Sequence, residues 1–158
     1  MHIERLNPAM PAVRALIDRS DAYLTALYPP ASNHLESVAA LSAPSVLFLG
    51  AWHEGVLAGC GAVKTRDDDG LYGEIKRVFV LEQYRGRGIS KRLMQALEAH
   101  LIAAGIDLSR LETGIWQPEA IGLYKRLGYV ERPPFGPYGV DPLSLFMEKR
   151  LVMEKRLG

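Results

Sequence analysis

The chain has 158 residues, enough for one domain with a sizeable core and too few for two domains of ordinary size. Its formal net charge of +1 gives no overall attraction to nucleic acid or to an anionic membrane surface, so neither is an expected partner. A single cysteine, Cys60, excludes an internal disulfide framework and fits a reducing compartment. There is no leader-like start and no apolar run of membrane-spanning length, so a cytoplasmic protein is expected.

The first half of the chain alternates between strand and helix patterns. Residues 11–28 place apolar side chains at roughly helical spacing, and the two prolines that follow end this helix. Residues 33–41 are predicted as a second, shorter helix. A turn at residues 53–55 predicts a hairpin between the strands on either side of it. The predicted strands of this half are residues 2–6, 45–52, 56–65 and 73–81.

A strongly amphipathic helix opens the second half. Its apolar stripe has a period of about 3.6 residues, and Gly105 is suited to end it. The stripe consists of Ile89, Leu93, Met94, Leu97 and Leu101. A shorter helix over residues 118–128 has a proline in its first turn and a glycine as its stop. The predicted strands of this half are residues 109–116, 129–134 and 143–151.

The order of elements is β, α, α, β, β, β, α, β, α, β, β. This order predicts an α/β fold with a mixed sheet of about seven strands and helices on both faces. The sequence MEKRL occurs at residues 147–151 and again at 153–157. One such repeat is too short to indicate a solenoid. We therefore expect a single domain over residues 1–151 and a C-terminal appendage over 152–158.

A cationic, glycine-rich turn, QYRGRGISKR, lies between the fourth strand and the long helix. The first amides of a helix have no partner within it, and the helix dipole favours an anion there. Gly86 and Gly88 permit backbone angles that other residues avoid, and they let a ligand approach closely. Arg85, Arg87 and Lys91 add positive charge. The turn predicts phosphate binding, and the alternative is a helix cap with solvated arginines.

Two common phosphate-binding motifs do not fit this turn. A P-loop requires GxxxxGK[ST], which the sequence lacks. A dinucleotide fingerprint requires a glycine where Lys91 stands, and its glycines follow the strand directly, whereas LEQY intervenes here. A nucleotide-binding regulatory domain is therefore disfavoured.

The segment QYRGRG resembles the acyl-CoA pyrophosphate loop of the GNAT N-acetyltransferase superfamily, Q/R-x-x-G-x-G/A. The overlapping RGRGIS fits the same pattern, with Ser90 in place of the small last residue. EIKRVFV resembles the central strand of the family, and QPEAIGLYKRLGY resembles its late helix–strand motif. The resemblance covers residues 1 to about 151. Shorter segments such as GEIK and LETG are similar to the YsnE-like bacterial subgroup, which does not identify an acceptor.

The resemblance implies an enzyme that moves the acetyl group of acetyl-CoA to a primary amine of a small molecule or peptide, by direct attack in a ternary complex. The alternative is a non-catalytic acyl-CoA sensor or interaction module on the same fold. The resemblance implies no metal, and the four histidines show no metal-ligand spacing. Cys60 has no obvious activating histidine, so an acyl-enzyme route through it is disfavoured. Homodimers are common in the family, so a second copy is a possible partner.

Two residues are predicted to be catalytic. A primary amine has a pKa near ~10.4, so it needs a base to become nucleophilic at neutral pH. Glu74 matches the position of a catalytic glutamate in the family; the alternative is a salt bridge to Lys76. Tyr124 matches the tyrosine that stands by the CoA sulfur as a general acid; the alternative is an aromatic side chain that only packs the short helix onto the sheet.

The resemblance also implies cofactor and acceptor contacts. The pantetheine arm is expected to bind main-chain groups of the central strand, and the diphosphate to bind the glycine turn. The implied cofactor residues are Val78, Phe79, Val80, Gln83, Arg85, Gly86, Arg87, Gly88, Ile89, Ser90, Lys91 and Gln117, the last in place of the usual asparagine. The implied acceptor residues are Tyr28, His34, Lys76, Arg77 and Tyr138. Strict alternation puts Glu74, Lys76, Val78 and Val80 on one face. Arg77 then faces away from Lys76, so at most one of the two attracts an acceptor carboxylate, as in an amino acid.

Overall fold

The computed structural model describes residues 1–33 and 35–152, and it confirms the predicted α/β class. Within that part of the chain the strands form one sheet in the order β1-β2-β3-β4-β5-β7-β6. Strands β4 and β5 are parallel, whereas the other neighbouring pairs are antiparallel. The strands are β1 His2–Arg5, β2 Val46–His53, β3 Val56–Arg66, β4 Tyr72–Val80, β5 Leu108–Gly114, β6 Val130–Arg132 and β7 Ser144–Arg150.

The helices follow the predicted order, and some of them are shorter than predicted. They are α1 Pro11–Leu27, α2 Val38–Leu41, α3 Ile89–Ala103 and α4 Pro118–Arg126. Helix α2 is shorter than predicted because Ser37 caps it: the Ser37 hydroxyl accepts a hydrogen bond from the Ala40 amide at 3.1 Å. None of the helices in the described ranges is both long and apolar enough to span a bilayer.

Two apolar layers cover the two faces of the sheet. On one face, Leu93, Leu97 and Leu101 of α3 are fully buried against sheet residues such as Ile75. Gly73 allows this close approach, because a Cβ atom there would lie 2.4 Å from a methyl carbon of Leu101. Helix α1 covers the other face through its own cluster of buried side chains. Each fully buried leucine contributes roughly 1.5–3 kcal/mol to folding. The two layers therefore hold the helices firmly on the sheet, and the loops that carry the site emerge from fixed positions.

A third, smaller cluster holds the loop that precedes β7. Tyr72, Phe135 and Phe146 are buried together, with the rings of Phe135 and Phe146 meeting edge to face at 5.7 Å. Tyr138 packs edge to face on Phe135 at 5.4 Å. The loop over residues 133–143 is thereby fixed above β4, and Tyr138 is brought to the side chain of Glu74.

Strand β4 contains a bulge at Arg77, which overturns the prediction of strict alternation. Ala62 of β3 pairs with Lys76, but Cys60 pairs with Phe79, so β4 carries one extra residue. Arg77 takes a left-handed φ of +59° at this point. After the bulge, Val78 and Val80 pack toward α3, as Ile75 does before it, so they do not share a face with Glu74 and Lys76. Arg77 instead points toward α1, on the same side as Lys76, where it pairs with Asp21.

Strands β4 and β5 part after a short parallel stretch. Their pairing covers only Gly73–Ile75 with Ser109–Leu111. Beyond it, β4 continues along β3 and β5 continues along β7, so a gap opens between the carboxyl ends of the two strands. The N-terminal ends of α3 and α4 border this gap.

Candidate active site

A groove of about 530 Å³ runs from the gap between the parted strands to the glycine turn. Its walls include most of the predicted cofactor residues: Val78, Phe79, Val80, Arg85, Gly86, Gly88, Ile89, Ser90, Lys91 and Gln117. The predicted cofactor residues come from three separate segments of the sequence. The fold brings these ten residues together around one groove.

The glycine turn has the geometry that an anion site needs. Gly86 and Gly88 take φ values of +80° and +77°, in the left-handed region that only glycine enters without strain. The first bond closing helix α3 runs from the Arg92 amide to the Gly88 carbonyl at 3.1 Å, so the amides before residue 92 have no acceptor within the helix. The side chain of Arg85 folds back along the groove, where its Nε donates to the Val80 carbonyl at 3.2 Å.

Two predicted cofactor residues lie outside the walls of this groove. Gln83 is exposed in a short 3-10 turn, Glu82–Tyr84. The guanidinium of Arg87 lies over the ring of Tyr84 and approaches the Nε2 atom of His53 at 3.1 Å. Their contacts with a cofactor stay predictions.

A second cavity, of about 120 Å³, lies on the α1 side of β4. Among the predicted acceptor residues, Tyr28, Lys76, Arg77 and Tyr138 line it, as does Glu74. His34 lies outside the described residues. The cavity is polar and carries both signs of charge, so it suits a small charged molecule.

Tyr124 lies in the wall shared by the groove and the cavity, together with Val78, Phe79 and Gln117. Its side chain is buried, with 7% of the residue exposed. Burial, together with the negative charge of Glu112, raises the pKa of Tyr124 to about 12. The phenol is therefore protonated throughout the physiological range, as a proton donor must be.

Glu74 accepts hydrogen bonds from three side chains. Arg66 donates to one carboxylate oxygen at 3.1 Å, and Lys76 and Tyr138 donate to the other at 3.1 and 2.5 Å. The residue is only 1% exposed. The salt bridge to Lys76, which was the alternative to a catalytic role, is thus present, and it does not by itself exclude that role. Burial lowers the pKa of the Lys76 ammonium, but the Glu74 charge and its other partners outweigh burial, and the net shift is upward.

Sequence reasoning missed two carboxylates of the cavity wall, Glu36 and Glu112. Glu36 reaches Lys76 at 2.8 Å; burial opposes its ionisation, but the hydrogen bond and charge of Lys76 prevail and lower its pKa. Glu112 on β5 accepts a hydrogen bond from the Ser144 hydroxyl at 2.8 Å. Glu112 could have been found as a carboxylate on β5, a strand that the sequence predicted. Glu36 gave no such signal, because its position depends on how the loop before α2 folds.

Tyr28 connects the end of α1 to the start of α4. Its hydroxyl donates to the Gln117 side-chain oxygen at 3.3 Å and accepts from the Trp116 amide at 3.1 Å. Its ring stacks on Trp116 with centroids 5.3 Å apart. The fit requires Gly114, because a Cβ atom there would lie 1.9 Å from the Tyr28 hydroxyl. Tyr28 therefore also positions Gln117, which borders both spaces.

Cys60 is a buried structural thiol. It is 1% exposed, and burial raises its pKa to about 12. Its sulfur donates to the Arg77 carbonyl at 3.3 Å, across the bulge. These surroundings disfavour a thiolate nucleophile and support the prediction that no acyl-enzyme forms here.

The parted parallel strands that lead into a glycine turn agree with what the resemblance to the GNAT superfamily implies, a central strand open to the pantetheine arm and a turn for the diphosphate. Comparison with known families agrees: the model described as the acetyltransferase (GNAT) family matches residues 13–129. The chain belongs to the GNAT acetyltransferase family, and it is an acyltransferase rather than a non-catalytic module.

Individual relatives support this assignment over nearly the whole chain. The "IAA acetyltransferase" of Azospirillum brasilense is 48% identical, with 94% of this chain and 97% of the relative covered. The uncharacterized N-acetyltransferase YsnE of Bacillus subtilis (strain 168) is 33% identical, covering 96% of this chain and all (100%) of YsnE, which confirms the resemblance to that subgroup. A solved structure from Klebsiella pneumoniae, assigned as an acyl-CoA N-acyltransferase, superposes with a TM-score of 0.79 at 36% identity, covering 96% of this chain and 97% of the other.

Proposed function

We propose that this protein transfers the acetyl group of acetyl-CoA to a primary amine by direct attack in a ternary complex. The observation that carries the proposal is the shared wall. Tyr124, Val78 and Gln117 border both the groove that leads to the glycine turn and the cavity on the α1 side. We therefore expect a thioester in the groove and an amine in the cavity to meet at these residues.

The proposed reaction starts from a neutral amine. Its nitrogen attacks the thioester carbonyl carbon, so a C–N bond forms and the C–S bond breaks. The proton released by the amine passes to a carboxylate of the cavity, and the departing CoA thiolate takes a proton from Tyr124. A proton then returns from the carboxylic acid to the tyrosinate, directly or through water, so that both groups are restored. Removing the proton from a typical ammonium at pH 7 costs roughly 4–5 kcal/mol, so a nearby acceptor for it is needed.

Two carboxylates in the cavity wall are candidates for that acceptor. Glu74 is the residue predicted from the sequence, and three side chains already donate to its carboxylate, one to the first oxygen and two to the second. Glu112 is the second candidate, because its charge is close enough to Tyr124 to raise the pKa of that phenol. A pair of variants that separates the two is described below.

The direct test is an acceptor screen. Purified protein, acetyl-CoA and single amines are incubated together, and free CoA thiol is measured alongside the mass of the product. Amino acids, polyamines, aminoglycosides and short peptides form the panel, and IAA is added because the Azospirillum brasilense relative carries the name IAA acetyltransferase. We expect acetylated product from at least one amine class, with thiol and product formed in equal amounts. Thiol release without any acetylated amine would contradict the proposal.

A further inference from the structure

The bulge at Arg77 places two cationic side chains in the wall of the acceptor cavity. Lys76 and Arg77 are adjacent in the sequence, yet both line this cavity. The arrangement requires a left-handed φ of +59° at a non-glycine residue, a conformation that is retained only where the surrounding structure enforces it. Strained backbone of this kind is concentrated at functional sites, so the position of each cation needs an explanation.

Lys76 has no capacity left for a ligand. Its ammonium has three protons to donate, and three acceptors surround it: Glu36 at 2.8 Å, Glu74 at 3.1 Å and Tyr138 at 2.8 Å. An acceptor molecule would have to displace one of these partners. Lys76 therefore acts as an internal counter-ion that holds Glu36, Glu74 and the loop of Tyr138 together.

Arg77 differs from Lys76 in this respect. One terminal nitrogen donates to the Asp21 carboxylate, and the other donates to the Glu36 carbonyl at 2.7 Å. Its side chain is only 5% exposed, and its Nε is buried without a hydrogen-bond partner among the described residues. A guanidinium has five N–H donors, and a buried donor left unpaired is unfavourable. Among the described residues, Arg77 is thus a buried cation with an unpaired Nε donor, and it borders the cavity.

Asp21 is the carboxylate that a ligand would have to replace at Arg77. It lies on helix α1, and 37% of its side chain is exposed. A carboxylate this exposed can turn into water when another anion takes its place, and the buried guanidinium of Arg77 then keeps an anionic partner. Two carboxylates that line the cavity, Glu74 and Glu112, suit the opposite end of a ligand, an ammonium group.

We propose that the acceptor is an amino acid or a closely related amine that carries a carboxylate, and that Arg77 binds this carboxylate in exchange for Asp21. This inference rests on the N-acetyltransferase function proposed above. It assigns the cavity to a zwitterion whose ammonium end points toward the carboxylates and Tyr124, and whose carboxylate end lies at the bulge.

The test compares matched acceptors. L-amino acids, their carboxamides and the corresponding amines without a carboxyl group are assayed for kcat/KM by release of CoA thiol. We expect the acids to exceed their amides by about 10- to 100-fold, as charged hydrogen bonds do when one partner becomes neutral. In Arg77→Met the preference should fall to near unity, chiefly through KM for the acids, and Arg77→Lys should keep part of it. Arg19→Met, the same change on the exposed side of α1, should retain the full preference.

A thermal shift with acetyl-CoA shows whether each variant is folded. If Arg77→Met does not fold, Arg77→Lys supplies the test. Equal rates for acids and amides with the native protein would overturn the carboxylate inference while leaving the N-acetyltransferase function intact. An unchanged preference in both Arg77 variants would also overturn it. Failure to acetylate any amine of the three sets would overturn the inference, and failure of the wider acceptor panel as well would also remove the proposed function.

Discussion

At the scale of single residues, the surroundings of Tyr124 decide whether it can serve as the proposed proton donor. Burial and the Glu112 charge raise the pKa of Tyr124 to about 12, so the phenol stays protonated well above neutral pH. A group with this pKa gives its proton to a thiolate only when the thiolate is close and poorly solvated, so the proposed role requires the CoA sulfur to lie against Tyr124 in the wall between groove and cavity.

Tyr124→Phe should lower kcat by about 100-fold or more, because the change removes the proton donor and keeps the ring. The KM for acetyl-CoA should change little. In the native enzyme, kcat should not decline between pH 8 and pH 10, since the acid form of Tyr124 persists to its pKa of about 12. Steady-state kinetics across pH measures both effects, and an undiminished kcat in the phenylalanine variant would show that another group protonates the thiolate.

Glu74→Gln and Glu112→Gln should separate the two candidate bases. The variant that lacks the true base should recover activity as pH rises toward the pKa of the amine, because the free amine then forms without help. The other variant should show a loss that does not depend on pH. Profiles of kcat/KM from pH 6 to pH 10 decide between them. If neither variant recovers activity as pH rises, water rather than either carboxylate accepts the proton of the amine.

At the scale of elements, the sequence predicted the order and type of the helices and strands and failed at one irregularity. Apolar periodicity and glycine or proline stops were enough for α1, α3, α4 and the β2–β3 hairpin. The bulge at Arg77 has no signature of this kind, since arginine is not a residue that favours a left-handed φ. Because the side-chain period of a strand is two, this single extra residue reversed every assignment after it.

The parts of the candidate site that consist of main-chain groups or of a short sequence motif could be predicted from the sequence. The remaining parts could not. The glycine turn and Tyr124 belong to short motifs that can be read directly. The engagement of Glu74 by Arg66, and of Lys76 by Glu36, depends on strand pairing and loop packing between distant segments. No local pattern encodes these contacts.

The turn before α3 should be sensitive to a single added methyl group at Gly88. Gly88→Ala places a Cβ on a residue with φ of +77°, at a cost of roughly 1–2 kcal/mol, although no neighbouring atom lies within 4 Å. Gly105→Ala is a matched control, because Gly105 follows the same helix with the same φ and equally open surroundings. Both variants should lose similar stability in thermal unfolding. Only Gly88→Ala should raise the KM for acetyl-CoA, and equal KM values in the two variants would argue against a diphosphate site at this turn.

At the scale of the whole molecule, an ion-pair cluster joins the last three strands of the sheet. Glu148 of β7 accepts from Arg110 of β5 at 3.1 Å and from Arg132 of β6 at 2.9 Å. Burial favours the neutral acid, but these two arginines outweigh burial and lower the pKa of Glu148. A carboxyl group with a pKa below its unfolded value stabilises the protein above the unfolded pKa, and this contribution is lost as pH falls through the folded pKa.

Glu148→Gln should therefore destabilise the protein at pH 7 by about 1 kcal/mol or more, and the difference from the native protein should shrink as pH falls below about 4. Glu131→Gln is the control, because Glu131 is exposed and its contact with Lys125 is long, at 3.7 Å. Urea unfolding at several pH values provides the measurement. A Glu148→Gln difference that stays constant from pH 7 to pH 3 would show that the carboxylate charge does not matter.

The parting of β4 from β5 separates the proposed coenzyme groove from the cavity on the α1 side. In the binding mode proposed here, the coenzyme contacts mainly amide hydrogens and carbonyl oxygens, atoms that every amino acid possesses. The cavity is lined by residues of β4 and β5, among them Arg77, and by residues of α1, the segment before α2 and the loop over residues 133–143. Retargeting this scaffold to a new acceptor should consequently require substitutions only among these cavity residues, with the donor chemistry carried over unaltered.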